Sequence, residues 1–161
     1  MGKVELKPAP TVLFAFDPGK ATGWTVFVDG IFKNWGISRG LDKFDEDLDT
    51  LEEVYGRPTV VVAEDFRLFR GKALQQSGSK MEASQVLGML QRQARKWKAQ
   101  YIKQSSNILP IAVKWSKMPL PSNHANSHNY AAYNHGFYYL VKNNMAVPVG
   151  MEDHVKKEVG S

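Results

Sequence analysis

The chain contains no cysteine among its 161 residues. Disulfides and thiolate metal sites are therefore excluded, and a reducing, cytosol-like compartment is the expected setting. Long apolar runs are also missing. Residues 1–10 carry no signal-peptide core, and no stretch is long enough to cross a membrane. A cytoplasmic protein without a membrane partner is expected. Acidic residues are scarce in one region only. Between residues 66 and 151 there is one, Glu82, against twelve bases: Arg67, Arg70, Lys72, Lys80, Arg92, Arg95, Lys96, Lys98, Lys103, Lys114, Lys117 and Lys142. Residues 1–65, by contrast, hold twelve acids.

So one-sided a half is the electrostatic footprint of a protein that meets a polyanion, although a solvated basic surface would look the same. Aromatics stand among the bases (Phe66, Phe69, Trp97, Tyr101, Trp115), which suits tracking of a nucleic-acid backbone with occasional base stacking. The length fits one domain with a real core, here residues 11–142 with a tail over 143–161.

The most informative stretch is Val12-Leu13-Phe14-Ala15-Phe16-Asp17, followed at once by Pro18-Gly19 and Thr22-Gly23. An apolar strand that ends in a lone carboxylate and a Gly-rich turn can present that carboxylate to a metal ion. A strand-ending aspartate before Pro-Gly also serves simply as a turn residue. A second run, Thr59-Val60-Val61-Val62-Ala63, ends in Glu64 and Asp65. An acid there is costly unless it is paired, metal-bound or at the surface. Asp65 should point to the opposite face and have a secondary role. Two neighbouring strands that each end in a carboxylate suggest a magnesium site for phosphodiester chemistry.

Strands are expected over residues 11–17, 24–28 and 31–36, the last two joined by Asp29-Gly30, a dipeptide favoured in tight hairpins. Leu41, Phe44, Leu48, Leu51 and Val54 have helical spacing, and Gly56 and Pro58 stop that helix. Residues 59–64 form a buried fourth strand of the parallel type. A basic loop over 66–79 leads to Ser79-Lys80-Met81-Glu82, which reads as a capping box. The helix after it carries Val86, Leu87, Leu90, Ala94 and Trp97. A short fifth strand is expected over 101–104, an irregular stretch with Pro110, Pro119 and Pro121 over 105–125, and a last helix over 127–142. The order β-β-β-α-β-α-β-α predicts an α/β domain, a mixed five-stranded sheet with helices on both faces. A ribonuclease-H-like fold has that order, with acids at the ends of its first and fourth strands and at the start of its last helix.

On the last helix His128, Ala131 and His135 fall at i, i+3 and i+7, on one face. His135 is expected to be an ordinary core or surface residue. His124 joins that face only if the helix starts early. A zinc site is the weaker reading of the same histidines, given the absence of cysteine.

With these segments placed, residues 11–142 resemble the RuvC-like Holliday junction resolvases, especially the short bacteriophage type. The resemblance rests on Phe16-Asp17-Pro18-Gly19 with Thr22-Gly23, on Val62-Ala63-Glu64-Asp65-Phe66, on Glu82-Ala83-Ser84-Gln85-Val86-Leu87-Gly88, and on a closing pattern His-x-x-Asp-Ala-x-x-His. It implies a magnesium-dependent endonuclease, with manganese as substitute, that cuts branched DNA using two metal ions. The metal-binding and catalytic positions it implies are Asp17, Glu64, His128 and an aspartate three residues after His128. That last position is Ala131 here, while Ala132 and His135 continue the pattern. An inactivating substitution, a naturally degenerate binding-only relative, and a shifted register with Asn126 or Asn129 in the acidic slot are three accounts of this departure.

The resemblance also implies a homodimer, suited to paired cuts in a two-fold symmetric junction. For DNA contacts it points to Arg67, Arg70, Lys72 and Lys80 on phosphates, Phe69 as a wedge at the branch point, and Arg92, Arg95 and Lys96 on the following helix. Competing expectations are another nuclease of this fold acting on hybrid or duplex, a catalytically silent branch-binding module, and a basic structural protein with no site.

Overall fold

Strand β1 (Val12–Asp17) is wholly buried and sits at the centre of a five-stranded sheet. The computed structural model describes residues 3–68 and 78–155. Strands β2 (Ala21–Val28) and β3 (Ile31–Arg39) form an antiparallel meander with β1. Strands β4 (Val60–Glu64) and β5 (Gln100–Gln104) run parallel to it, giving the order β3-β2-β1-β4-β5. The mixed α/β sheet expected from the sequence is present. At the hairpin both Asp29 and Gly30 take positive φ, 52° and 80°, as a tight two-residue turn requires.

Side chains alternate across the sheet, and this alternation decides which helix each strand residue meets. Val12, Phe14, Phe16, Val61 and Ala63 point to one face. There they pack against α1 (Leu41–Tyr55) and α2 (Gly78–Trp97), through Phe44, Leu48, Leu51, Val86, Leu87, Leu90, Ala94 and Trp97. The Trp97 indole donates to Glu52 Oε1 at 2.6 Å and ties the two helices together. Leu13, Ala15, Val60 and Val62 point to the other face, where Phe137, Tyr139 and Leu140 of helix α4 (His128–Lys142) cover them. Asp17 and Glu64 have the parity of this second set.

Several expectations are corrected. Residues 105–125 are not irregular throughout. A 3-10 turn (Ser106–Ile108) runs into helix α3 (Leu109–Ser116), with Pro110 in its first turn, where a missing N–H leaves no bond unmade. Strand β3 continues past Gly36 to Arg39, because the Trp24 indole occupies the space above Gly36 where a side chain would stand. Helix α2 already includes Gly78, so Ser79 has a helical backbone and is not the extended cap residue of a capping box. Val54 is exposed, and Tyr55 packs inward in the last turn of α1 instead.

Candidate active site

Asp17 and Glu64 end adjacent parallel strands, one step beyond the register pair Phe16–Ala63, so both carboxyls emerge on the α4 face at the same sheet edge. Gln104 stands opposite Glu64 in the β4–β5 register. Helix α4 then crosses above the strand ends. It comes this close because position 23 is glycine: a Cβ there would collide with the His128 backbone carbonyl. Gly136 allows the same approach further along, where a Cβ would lie 2.6 Å from the Phe27 ring.

Each carboxylate is bound to a histidine of α4. Asp17 Oδ2 lies 2.9 Å from His128 Nδ1, and Glu64 Oε1 lies 2.9 Å from His135 Nε2. His135 is fully buried, and its Nδ1 is 2.8 Å from Gln104 Oε1. Sequence reasoning placed His135 among ordinary core or surface residues. The structure makes it the partner of the fourth-strand carboxylate, and Gln104 was missed altogether. The available signals were the seven-residue interval from His128 and a glutamine closing the strand beside Glu64.

Burial is the strongest influence on Asp17 and raises its pKa; the His128 hydrogen bond opposes this and the Glu64 charge adds to it. The result is a carboxyl pushed up to about 7. Burial also pushes Glu64 up, but hydrogen bonding and charge from His135 outweigh it and Glu64 stays below its ordinary value. The two carboxyls are thus driven apart, Asp17 toward the protonated form and Glu64 toward the ionised one. His128 is raised, chiefly by its bond to Asp17.

Asp17, Glu64, His128 and Ala131 line one cavity of about 870 Å³. Ala131 is 4% exposed and contributes only a methyl group to that wall. Leu109 and Leu120 line the cavity as well. Their chain is pinned to α4 by Asn134, which accepts from Ser116 Oγ and donates to the Met118 carbonyl at 3.0 Å. Neither Asn126 nor Asn129 lines the cavity, and among the described residues the Asn129 Oδ1 is buried without a hydrogen-bond partner. Asn126 Oδ1 accepts from Arg39, and the Asn129 backbone carbonyl accepts from Thr25 on the sheet. The helix begins at His128, after a separate 3-10 turn (His124–Asn126), so it does not start early enough to bring His124 onto its face.

Among the described residues, no three His, Asp or Glu side chains converge as a ready-made metal cage. The reason is visible in the pairing, since each carboxylate is turned onto its own histidine. Two neighbouring carboxylates, one raised by burial and by the other's charge, nevertheless suit a hard divalent cation. Such an ion uses one or two carboxylates and completes its shell with water and phosphate oxygens.

The other sequence candidates lie elsewhere. Asp65 is on the opposite face, as its parity requires. It is 1% exposed and held by Arg67, whose Nε and Nη2 donate at 2.9 and 2.8 Å. Arg92, Arg95 and Lys96 are exposed on α2. Neither these three nor Arg67 lines the cavity. Lys80 lies in the first turn of α2. Phe69, Arg70 and Lys72 lie outside the described residues.

The fold is similar to that of solved structures. T. thermophilus RuvC in complex with Holliday junction substrate superposes with a TM-score of 0.56 at 16% identity, over 86% of this chain and 99% of that one. The fold is RuvC-like. A second Thermus thermophilus RuvC structure gives a TM-score of 0.50 at 17% identity, with the same coverage. No protein-family model and no curated protein matches the sequence. Among the described residues, no helix of this RuvC-like fold is long and apolar enough to cross a membrane.

Proposed function

We propose that this chain is a branched-DNA endonuclease scaffold, built to resolve four-way junctions by metal-assisted phosphodiester hydrolysis, with one ligand position altered at Ala131. The observation that carries this reading is the meeting of Asp17, Glu64, His128 and Ala131 in one cavity, with Asp17 raised to about 7 by burial and by Glu64. The RuvC-like fold supports it, and so does the acid-poor, basic stretch after residue 66.

Asp17 and Glu64 would hold magnesium, or manganese in its place, with His128 beside them; two such ions are proposed per site. Bound there, the metal would supply an activated water and charge stabilisation at the phosphate. The protein's own part is to orient. His128 fixes the Asp17 carboxyl and His135 fixes Glu64. Ala131 has no oxygen with which to complete the set. A homodimer would bring two such sites to a two-fold symmetric junction.

A second reading is favoured by that same methyl group: a module that binds branched DNA without cutting it. Cleavage of a labelled four-way junction in magnesium, beside linear duplex and RNA–DNA hybrid, separates the two. If Ala131→Asp makes paired symmetric nicks and the parent does not, the nuclease reading with an altered site holds. If both bind the junction and neither cuts, the binding module stands. Cutting of hybrid or duplex in preference to the junction would assign another substrate to the same fold.

A further inference from the structure

Lys20 and Arg39 come from the acid-rich half of the chain, yet they supply the cationic lining of the cavity among the described residues. The sheet places them together. Ala21 and Arg39 are register partners in the β2–β3 ladder, and the Gly40 N–H donates to the Lys20 carbonyl at 3.1 Å. Lys20 follows the Pro18-Gly19 turn that ends at Asp17, and its side chain is exposed. Among the described residues neither base has a carboxylate partner. Arg39 Nη2 donates only to neutral acceptors, the Ala125 carbonyl at 3.2 Å and Asn126 Oδ1 at 3.3 Å. Those bonds hold the guanidinium over the turn that leads into His128.

On the opposite side of the cavity the described charged residue is Glu82, at the start of α2. A phosphate entering between Asp17 and Glu64 therefore meets two carboxylates and a third acid beyond them. Two unpaired cations stand on the β1–β2 side alone. An unpaired cation is attracted to a phosphodiester, and each contact releases counterions from the DNA.

We infer that Lys20 and Arg39 are phosphate-binding residues that guide one DNA strand into the cavity along the β1–β2 turn and the end of β3. This rests on the proposed action on DNA, and it identifies the bank of the cleft from which the strand approaches. Arg39 has a second role, since its fork also positions the 124–126 turn.

The test is equilibrium binding of a labelled four-way junction and a labelled linear duplex in EDTA, titrated with salt. Binding without metal makes the readout independent of cleavage. Lys20→Ala should weaken binding severalfold and reduce the slope of log affinity against log salt by about 1. Arg39→Ala should do the same, and Arg39→Lys, which keeps the charge, should retain the slope. Lys33→Ala is the control, because Lys33 is exposed on β3 but does not line the cavity. Lys20→Ala is the decisive variant, because among the described residues its side chain makes no hydrogen bond or ion pair. If the parent binds DNA and both alanine variants keep its slope, the inference is overturned while the functional reading survives. If the parent binds neither DNA, the functional reading fails and this inference falls with it.

Discussion

Asp17 and Glu64 face one another from adjacent parallel strands, and their proton affinities are driven in opposite directions, Asp17 upward to about 7 and Glu64 below its ordinary value. Burial favours the protonated form of Asp17, and the nearby Glu64 charge adds to this. The first prediction is a pH dependence of stability without metal. The folded form holds the Asp17 proton more tightly than the unfolded chain, whose value is about 3.8. That contribution is complete below pH 3.8 and is lost as pH rises through about 7. Asp17→Asn, melted in EDTA, should match the parent near pH 4 and exceed its Tm at pH 8. A variant no more stable than the parent at pH 8 would refute the raised Asp17.

Ala131→Asp places a third carboxylate against this pair. Without a metal, like charges in a buried site should lower Tm at pH 8 relative to the parent. Added magnesium should restore most of the loss, since a ligand that binds only the folded state stabilises it by mass action. Thermal melts with and without magnesium read this apart from any cleavage. A loss of Tm that magnesium leaves unchanged would count against a metal position at Ala131.

Two glycines should respond oppositely to alanine. Gly23→Ala puts a methyl group into the His128 carbonyl and must push α4 off the sheet, at a cost of about 1–3 kcal/mol. Gly88, inside α2, has nothing within 4 Å of a new Cβ. Gly88→Ala should therefore stabilise by about 1 kcal/mol through helix propensity. Urea midpoints measure both, and a tolerated Gly23→Ala would contradict the close approach of α4.

His135→Leu removes the partner of both Glu64 and Gln104. Leaving buried polar groups unsatisfied costs about 1–3 kcal/mol each. Burial then acts on Glu64 with only the smaller influences of Asp17 and His128 against it, so its carboxyl takes up a proton more readily in the folded state. The deficit against the parent should be larger at pH 7 than at pH 4 in denaturant melts. An equal deficit at both pH values would mean that His135 fills space and does not hold Glu64.

Much of this arrangement was legible in the sequence. The apolar runs ending at Asp17 and Glu64, the Asp29-Gly30 turn and the inward positions of α2 gave strands, hairpin and helix where the structure has them. Strand parity alone put Asp65 on the face away from Asp17. The long β3 was not legible, because Gly36 reads as a terminator until the Trp24 ring is seen above it. Helix α3 was hidden for a similar reason, since a proline reads as a breaker unless the helix start is known.

The sequence by itself determined which residues carry hard oxygen donors, which strands end in them, and that the basic charge is concentrated after residue 66. Those are matters of local pattern and composition. Only the tertiary structure decided that His135 and Gln104 lock Glu64, that Ala131 joins the cavity as a bare methyl group, and that the cations at its mouth come from the acidic half. Each of these depends on elements distant in the chain meeting at one sheet edge. That meeting is set by strand register and by the approach of α4 over Gly23, which no local pattern encodes.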